Sequence, residues 1–157
     1  MRATVPHDQQ QVPVIRDLAP EESLAVLARG HVGRLAFAFR GHVDIQPVHY
    51  VYHDGFIYGR TSQGAKLVLL SHNPWVAFET DVVRATFDWD SVVVKGSFHV
   101  IDPEGNAREH LTYEHALSLL RALVPRALRE GDPTPWRDVV FRISVDDITG
   151  RRARPGT

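Results

Sequence analysis

The sequence of 157 residues contains no cysteine, so it excludes disulfide bonds and thiol chemistry. Its 18 basic and 19 acidic side chains nearly cancel, whereas a nucleic-acid-binding protein normally shows a basic excess. No segment approaches the ~20 consecutive apolar residues of a membrane span. Residues 1–14 also lack the apolar core of a signal peptide. We therefore expect a cytoplasmic protein that binds neither nucleic acid nor membranes.

Signatures of metal-dependent and hydrolytic enzymes are also missing. None of the nine histidines has the spacing of H-E-x-x-H or of another metal-binding motif. His49 and His53 lie four residues apart in one predicted strand and share a face, but no third ligand accompanies them. The nucleophile motif G-x-S-x-G does not occur. The sequence therefore predicts no metal site and identifies no catalytic residue.

A chain of this length is most simply one domain, because single domains cluster near ~100–150 residues. Residues 1–15 are polar with scattered prolines and are predicted to be an N-terminal arm. We expect the domain to span residues 16–152 and to be followed by a short tail, residues 153–157.

Hydrophobic periodicity predicts three helices and six strands. The helices cover residues 20–29, 65–71 and 107–130, with Pro125 ending or kinking the third. The strands are GRLAFAFRG (33–41), VDIQPVHYVY (43–52), FIYGR (56–60), WVAFETDVV (75–83), SVVVKGSFHVI (91–101) and DVVFRISVDDI (138–148). Since most of these strands are joined by short turns, we expect a mainly antiparallel sheet that closes as a barrel.

The sequence also predicts whether the tryptophans and the leucines of the third helix lie in the core or in loops. Trp75 begins an apolar strand and is expected in the core, whereas Trp89 and Trp136 lie in polar segments and are expected in loops. A loop tryptophan often marks a ligand or subunit contact. The core side of the third helix is predicted to consist of Leu111, Leu119, Leu120 and Leu123.

The stretch GRTSQGAK, residues 59–66, resembles a phosphate-binding P-loop but lacks its Lys-Ser/Thr ending, since Ala65 intervenes and Leu67 follows Lys66. Its glycines allow close approach of a ligand, and the amides at the start of the following helix can bind an anion. The other interpretation is an ordinary strand-to-helix connection with solvated side chains. The residues of the stretch alone favour neither.

Taken together, the segments resemble the flavin-binding split-barrel family related to pyridoxamine 5′-phosphate oxidase, and more narrowly its small bacterial, nitroimidazole-resistance-like members. The resemblance covers residues 18–152. The segments that carry it are VGRLAF (32–37), QPVHYVY (46–52), GRTSQGAK (59–66), NPWVAFE (73–79), WDSVVVKG (89–96) and ITGR (148–151).

This resemblance implies a six-stranded split barrel that forms a homodimer with flavin mononucleotide (FMN) in the subunit interface. It implies that the flavin phosphate is held by Arg60, Thr61, Ser62 and Lys66, with Gly64 as the close-approach glycine. Pro47, Val48 and His49 are implied to run along the isoalloxazine ring. Ser91 and Val92 are implied to approach the flavin near the interface, and Trp136 is implied to come from the other subunit.

The function implied is that of a flavin-dependent oxidoreductase that transfers hydride or electrons from a reduced nicotinamide to a small acceptor. Pyridoxamine phosphate oxidation itself is not expected, because the chain ends in RISVDDITGRRARPGT without the Arg- and His-bearing substrate motif. Some related barrels bind the deazaflavin F420 or haem instead, and both remain open. A non-enzymatic flavin-binding module is a further alternative.

Overall fold

A computed structural model describes residues 12–156. Within these residues, secondary structure begins at Val14 and ends at Arg154. In chain order the elements are β1 (Val14–Leu18), α1 (Pro20–Arg29), β2 (Val32–Phe39), β3 (His42–His53), β4 (Phe56–Thr61), α2 (Ala65–His72), β5 (Trp75–Ala85), β6 (Asp88–Val100), α3 (Ala107–Leu123), β7 (Val139–Ser144) and β8 (Asp147–Arg154).

Six of the strands close into a ring. Antiparallel pairings connect β2 to β3, β3 to β4, β4 to β7, β7 to β6, β6 to β5 and β5 back to β2. These are the six strands predicted from the sequence, so the mainly antiparallel, barrel-like sheet is confirmed. The ring is split because β3 changes neighbours along its length, pairing with β2 as far as His49 and with β4 from Tyr50 onwards.

The structure adds two strands that the sequence analysis did not separate. β1 pairs with β8, and β8 pairs with the first half of β6, so the two strands extend the sheet outside the ring. The predicted strand 138–148 is therefore two strands, with a break at Val145 and Asp146. β1 also takes in the last two residues of the predicted arm, and β8 takes in two residues of the predicted tail. Residues 1–11 of the arm lie outside the described part of the chain.

The first helix follows its local signals. α1 begins at Pro20, which suits a first turn because it has no N–H to donate, and ends at Arg29 as predicted. The Glu22 side chain accepts hydrogen bonds from the Arg16 guanidinium and from the Ala19 N–H, and these two contacts lower its pKa to about 2. The second helix runs one residue beyond its predicted end, to His72.

The third helix is shorter than predicted. α3 ends at Leu123 rather than near Glu130, because Pro125 cannot continue a helix and restricts Val124 to an extended conformation. The chain then makes an irregular loop in which Leu128 (φ 56°) and Gly131 (φ 83°) adopt left-handed backbone angles. We call residues 124–138 the α3–β7 loop.

Two apolar cores hold the fold together. The larger core fills the ring with alternate side chains of its strands, including Leu35 and Phe37 of β2. The smaller core lies between α3 and the outer side of the β4–β7 part of the sheet. Its buried members are Tyr58, Ile101, Ala116, Leu117, Leu120 and Val140.

Two predicted core positions are wrong. Trp75 is 66% exposed, because the alternation of β5 directs Val76 and Phe78 inward and Trp75 outward. Leu111 is 70% exposed, because it lies off the stripe of α3 that faces the sheet. Of the other three leucines predicted for that stripe, Leu120 is buried and Leu119 and Leu123 are half-buried.

Candidate functional site

The split in the barrel leaves one edge of β3 open. Residues 42–49 of β3 pair only with β2, since β4 joins at Tyr50. The Tyr50 N–H donates to the His31 carbonyl (2.9 Å), on the side of β2. Alternation along the strand then directs the backbone of Pro47 and His49 to the open side. Proline suits this position because its missing N–H would have faced the open edge.

The turn between β4 and α2 faces this open edge, and the two enclose a crevice of about 330 Å³ that we call the β3 crevice. Gly64 has φ 154°, a backbone angle that side-chain-bearing residues rarely adopt, so the path of the turn requires glycine. Ser62 and Gln63 are exposed beside it. The crevice is lined by Phe37, Asp44, Gln46, Ser62, Gln63, Gly64, Ala65, Lys66 and Leu69.

Lys66 supplies a positive charge to this crevice. It is the second residue of α2, and its amino group donates a hydrogen bond to the Gln46 side-chain oxygen across the crevice. Its pKa is lowered, first by burial and then by the positive charge of Arg137. Among the described residues no carboxylate lies within salt-bridge distance of it, but Asp44 lines the same crevice and its negative charge opposes part of this lowering of the pKa. The first N–H groups of α2 lie at the same place, so the crevice offers several donors to an anion.

Arg60, for which the family resemblance implies a phosphate-binding role, does not line this crevice. Its guanidinium donates to both Asp132 carboxylate oxygens (2.7 and 3.2 Å), to Thr134 Oγ1 (2.9 Å) and to the Arg137 carbonyl (3.1 Å). The Arg60 and Asp132 side chains are only 8% and 2% exposed. Arg60 is therefore a buried structural residue whose charge is neutralised by Asp132.

The Arg60–Asp132 pair positions the α3–β7 loop. Asp132 also accepts hydrogen bonds from the Leu128 and Thr134 N–H groups (2.8 and 2.9 Å). The Arg60 hydrogen bond and these backbone donors hold the pKa of Asp132 well below its usual range. Because Arg60 also donates to the Arg137 carbonyl, this contact places the Arg137 side chain close to His49.

Arg137 is a further functional candidate, which no sequence pattern predicted. With Pro47, Val48, His49 and Val32 it lines a small cavity on the outer side of β3. The neighbouring Trp136, for which the resemblance implies a contact with the flavin of the other subunit, is 61% exposed. No sequence signal indicated Arg137, because its position depends on the pairing of β7 with β4 and on the long-range contact with Arg60.

Four other predicted site residues have side chains that do not line the crevice. Thr61 is buried in the barrel wall, and Val92 is fully buried in the larger core. Ser91 is half-buried on the outer face of the sheet, where its hydroxyl donates to Glu79 (3.4 Å). Val48 is buried in the core but borders the Arg137 cavity. The crevice therefore brings together Ser62, Gly64 and Lys66, with Pro47 and His49 on the adjoining strand edge.

Between residues 12 and 156 no three His, Cys, Asp or Glu side chains are placed to hold a metal ion. Within the same range no helix is long and apolar enough to cross a membrane.

Comparisons with known proteins agree with this geometry. An uncharacterized protein of Rhizobium meliloti (strain 1021) is 28% identical over 151 residues, covering 90% of this chain and 97% of the relative. A crystal structure from Mesorhizobium loti, described as an FAD-binding protein, is 29% identical with a TM-score of 0.73, covering 91% of this chain and 99% of the other.

A more distant structure shares the fold alone. It is described as the FAD and heme binding protein from Mycobacterium smegmatis, with 14% identity and a TM-score of 0.66, covering 89% of this chain and 74% of the other. The narrower resemblance to nitroimidazole-resistance-like proteins also has a solved counterpart of the same fold.

A family model also matches most of the chain. The family described as pyridoxamine 5′-phosphate oxidase matches residues 19–152, nearly the whole range over which the sequence segments indicate the resemblance. With the split ring of six strands and the crevice beside β3, this match establishes that the chain belongs to the flavin-binding pyridoxamine 5′-phosphate oxidase family.

Proposed function

We propose that this protein is a flavin-dependent oxidoreductase that transfers electrons from a reduced nicotinamide to a small acceptor. The observation that carries the proposal is the β3 crevice, where a half-buried lysine that forms no salt bridge within the described residues and the first N–H groups of a helix adjoin an open strand edge. A flavin nucleotide has a matching combination of groups, namely an anionic phosphate and a flat ring with hydrogen-bonding edges.

The residues fit such a cofactor in two parts. Lys66, Ser62 and the start of α2 would bind the phosphate, because charge-assisted hydrogen bonds and the helix dipole both favour an anion there. The open edge at Pro47 and His49 would offer backbone groups to the ring. When bound, flavin supplies hydride and electron transfer, and the protein supplies binding and orientation.

We propose FMN first as the cofactor, because Lys66 and the start of α2 form one group of donors, which a single phosphate can satisfy. FAD is a second candidate, because the M. loti protein of similar length and fold is described as FAD-binding. A deazaflavin with a long acidic tail is less well supported, since Asp132 neutralises Arg60 and leaves Lys66 and Arg137 as the cations beside the open edge. For haem, the candidate axial ligand is the exposed His49.

An absorbance spectrum tests the cofactor. Protein incubated with excess FMN and then desalted should retain a flavin spectrum, and cofactor purified with the protein would identify FMN or FAD by chromatography after release. A Soret band instead would assign haem. If no chromophore is retained, the flavin proposal is wrong. Steady-state oxidation of NADH and NADPH then separates an enzyme from a flavin-binding module that does not turn over.

A homodimer is proposed as the functional unit, with a second copy covering the outer face of β2, β3 and β5. Register places Val43 beside Ala38 and Ile45 beside Ala36, and β5 continues the face through Ala77. The large apolar side chains there are exposed, Val43 by 80%, Ile45 by 62% and Trp75 by 66%. The same face adjoins Pro47 and His49, so a two-fold contact would enclose the ring of a bound flavin.

Replacing Ile45 by lysine should disrupt this dimer, because a buried charge without a partner would face the second copy. Sedimentation at micromolar concentration should give a dimer for the wild type and a shift towards monomer for Ile45→Lys. Leu111→Lys is the matched control, since Leu111 is similarly exposed (70% against 62% for Ile45) but lies on α3. A wild-type monomer of 17.7 kDa that retains flavin would refute the shared site.

A further inference from the structure

A second cavity, of about 250 Å³, lies between the end of α3, the α3–β7 loop and the strands β3 and β4. It differs from the β3 crevice, with which it shares no lining residue. We call it the α3 cavity. It is lined by His49, Arg60, Leu120, Leu123, Val124, Pro133, Thr134 and Arg137.

One side of this cavity is apolar. Leu120, Leu123 and Val124 form a wall at the end of α3, and Pro133 continues it from the loop. Leu123 and Val124 are half-buried, so this surface is accessible to a small molecule. Burial of an apolar body against such a wall is favourable in rough proportion to the area removed from water.

The opposite side carries one uncompensated positive charge. Arg60 is neutralised by Asp132, which its guanidinium contacts at 2.7 Å. The Arg137 backbone is held at both ends, its N–H donating to Thr134 and its carbonyl accepting from Arg60. Within residues 12–156, however, its guanidinium has no hydrogen-bond or salt-bridge partner. An unpaired guanidinium beside an apolar wall is matched by a carboxylate attached to an apolar body.

We propose that the α3 cavity binds a small organic monoanion with an apolar body, of the aromatic carboxylate class, through the Arg137 guanidinium. Arg60 and Asp132 take no part in contacting the charge and serve to position the loop. His49 lines this cavity and also borders the open edge of β3, so the ligand would lie next to a flavin ring bound at that edge. Only this proximity, and with it a role as substrate, rests on the proposed flavin function; binding itself does not.

The test compares 2-naphthoate with its neutral counterpart 2-naphthalenemethanol by titration calorimetry on the full chain, with and without FMN. Arg137→Gln should weaken naphthoate binding roughly ten- to a hundredfold, the range for one charge-assisted hydrogen-bonded contact, and leave the alcohol unchanged. Leu123→Ala should weaken both ligands, because it removes part of the apolar wall. Arg129→Gln is the control, since Arg129 is exposed in the same loop outside the cavity.

Three results would overturn the inference. The first is that naphthoate does not bind to the wild type, and the second is that the wild type and Arg137→Gln bind it with equal affinity. The third is that FMN displaces naphthoate and that Arg137→Gln loses affinity for FMN but not for riboflavin. The last result would assign Arg137 to the phosphate. If naphthoate behaves as expected while no flavin is retained, the inference stands and the proposed function fails.

Discussion

Replacing Lys66 by alanine is expected to weaken FMN binding roughly ten- to a hundredfold while changing riboflavin binding little. A hydrogen bond to a charged group contributes about 1.5–3 kcal/mol, which corresponds to this range. Riboflavin lacks the phosphate, so it cannot lose this contact. The ammonium group lies in the β3 crevice beside the first turn of α2, where a phosphate would also contact backbone N–H groups.

The environment of Lys66 strengthens this expectation. Burial and the charge of Arg137 lower the pKa of Lys66. The protonated form of Lys66 is therefore less stable in the unliganded protein than it would be in water. A phosphate in the crevice would compensate that charge, and Gln46 would no longer be its main partner. We therefore expect FMN binding to raise the pKa of Lys66, and FMN affinity to fall at alkaline pH as the ammonium group loses its proton.

The chain offers one matched control, because Lys95 is the only other lysine. It is exposed on β6, and Lys95→Ala makes the same chemical change without altering the crevice. Titration by flavin fluorescence of the wild type and both variants, with FMN and with riboflavin, gives four affinity ratios. Equal losses for the two ligands in Lys66→Ala, or no loss, would mean that GRTSQGAK is only a connection between β4 and α2.

Replacing Arg60 by alanine should lower the free energy of unfolding by about 3–5 kcal/mol, because it leaves the buried Asp132 carboxylate without its partner. The α3–β7 loop should lose its order first, since Arg60 connects Asp132, Thr134 and the Arg137 carbonyl. Urea denaturation of the variant measures the loss.

Two further variants separate the effect of burying the ion pair from the effect of its hydrogen-bond geometry. Arg16 and Glu22 form an equally well-aligned bidentate pair (2.9 and 3.0 Å), but both side chains are more than a third exposed. Arg16→Ala should therefore change stability little, since exposed ion pairs contribute little. The double variant Arg60→Leu/Asp132→Leu should recover part of the loss, because removing both charges leaves none unpaired. Equal effects of Arg60→Ala and Arg16→Ala would contradict a structural role for the buried pair.

The pH dependence follows from the depressed pKa of Asp132. A carboxyl whose pKa is lower in the folded than in the unfolded protein contributes stability that is fully present above its unfolded pKa, near 3.9. That contribution is lost as the pH falls below this value. The stability difference between the wild type and Asp132→Asn should therefore be largest near neutral pH and shrink as the solution is acidified towards pH 3. A difference that grows on acidification would show that the carboxylate is not stabilised by Arg60.

The sequence by itself determined the six ring strands, the first two helices and the membership of the family. The strands and helices follow from local patterns, and the family follows from the order of matching segments along the chain. Alternation of Leu35 and Phe37 with polar or small neighbours defines a strand, and Pro20 with Glu22 defines a helix start. The turn with Ser62, Gly64 and Lys66 could also be identified from its residues. These three residues lie close together in the sequence, so the local path of the chain is enough to bring them into one crevice.

Only the tertiary structure decided which charges are available. Arg60 is adjacent to the turn in sequence, yet its partner Asp132 comes from 72 residues further along the chain, and no local pattern predicts that pairing. The same long-range contact brings Arg137 to His49. Strand alternation likewise assigns Trp75 a face, but which face is covered depends on how the sheet closes. Long-range packing, which periodicity does not encode, thus determined the roles of the residues around the open edge of β3.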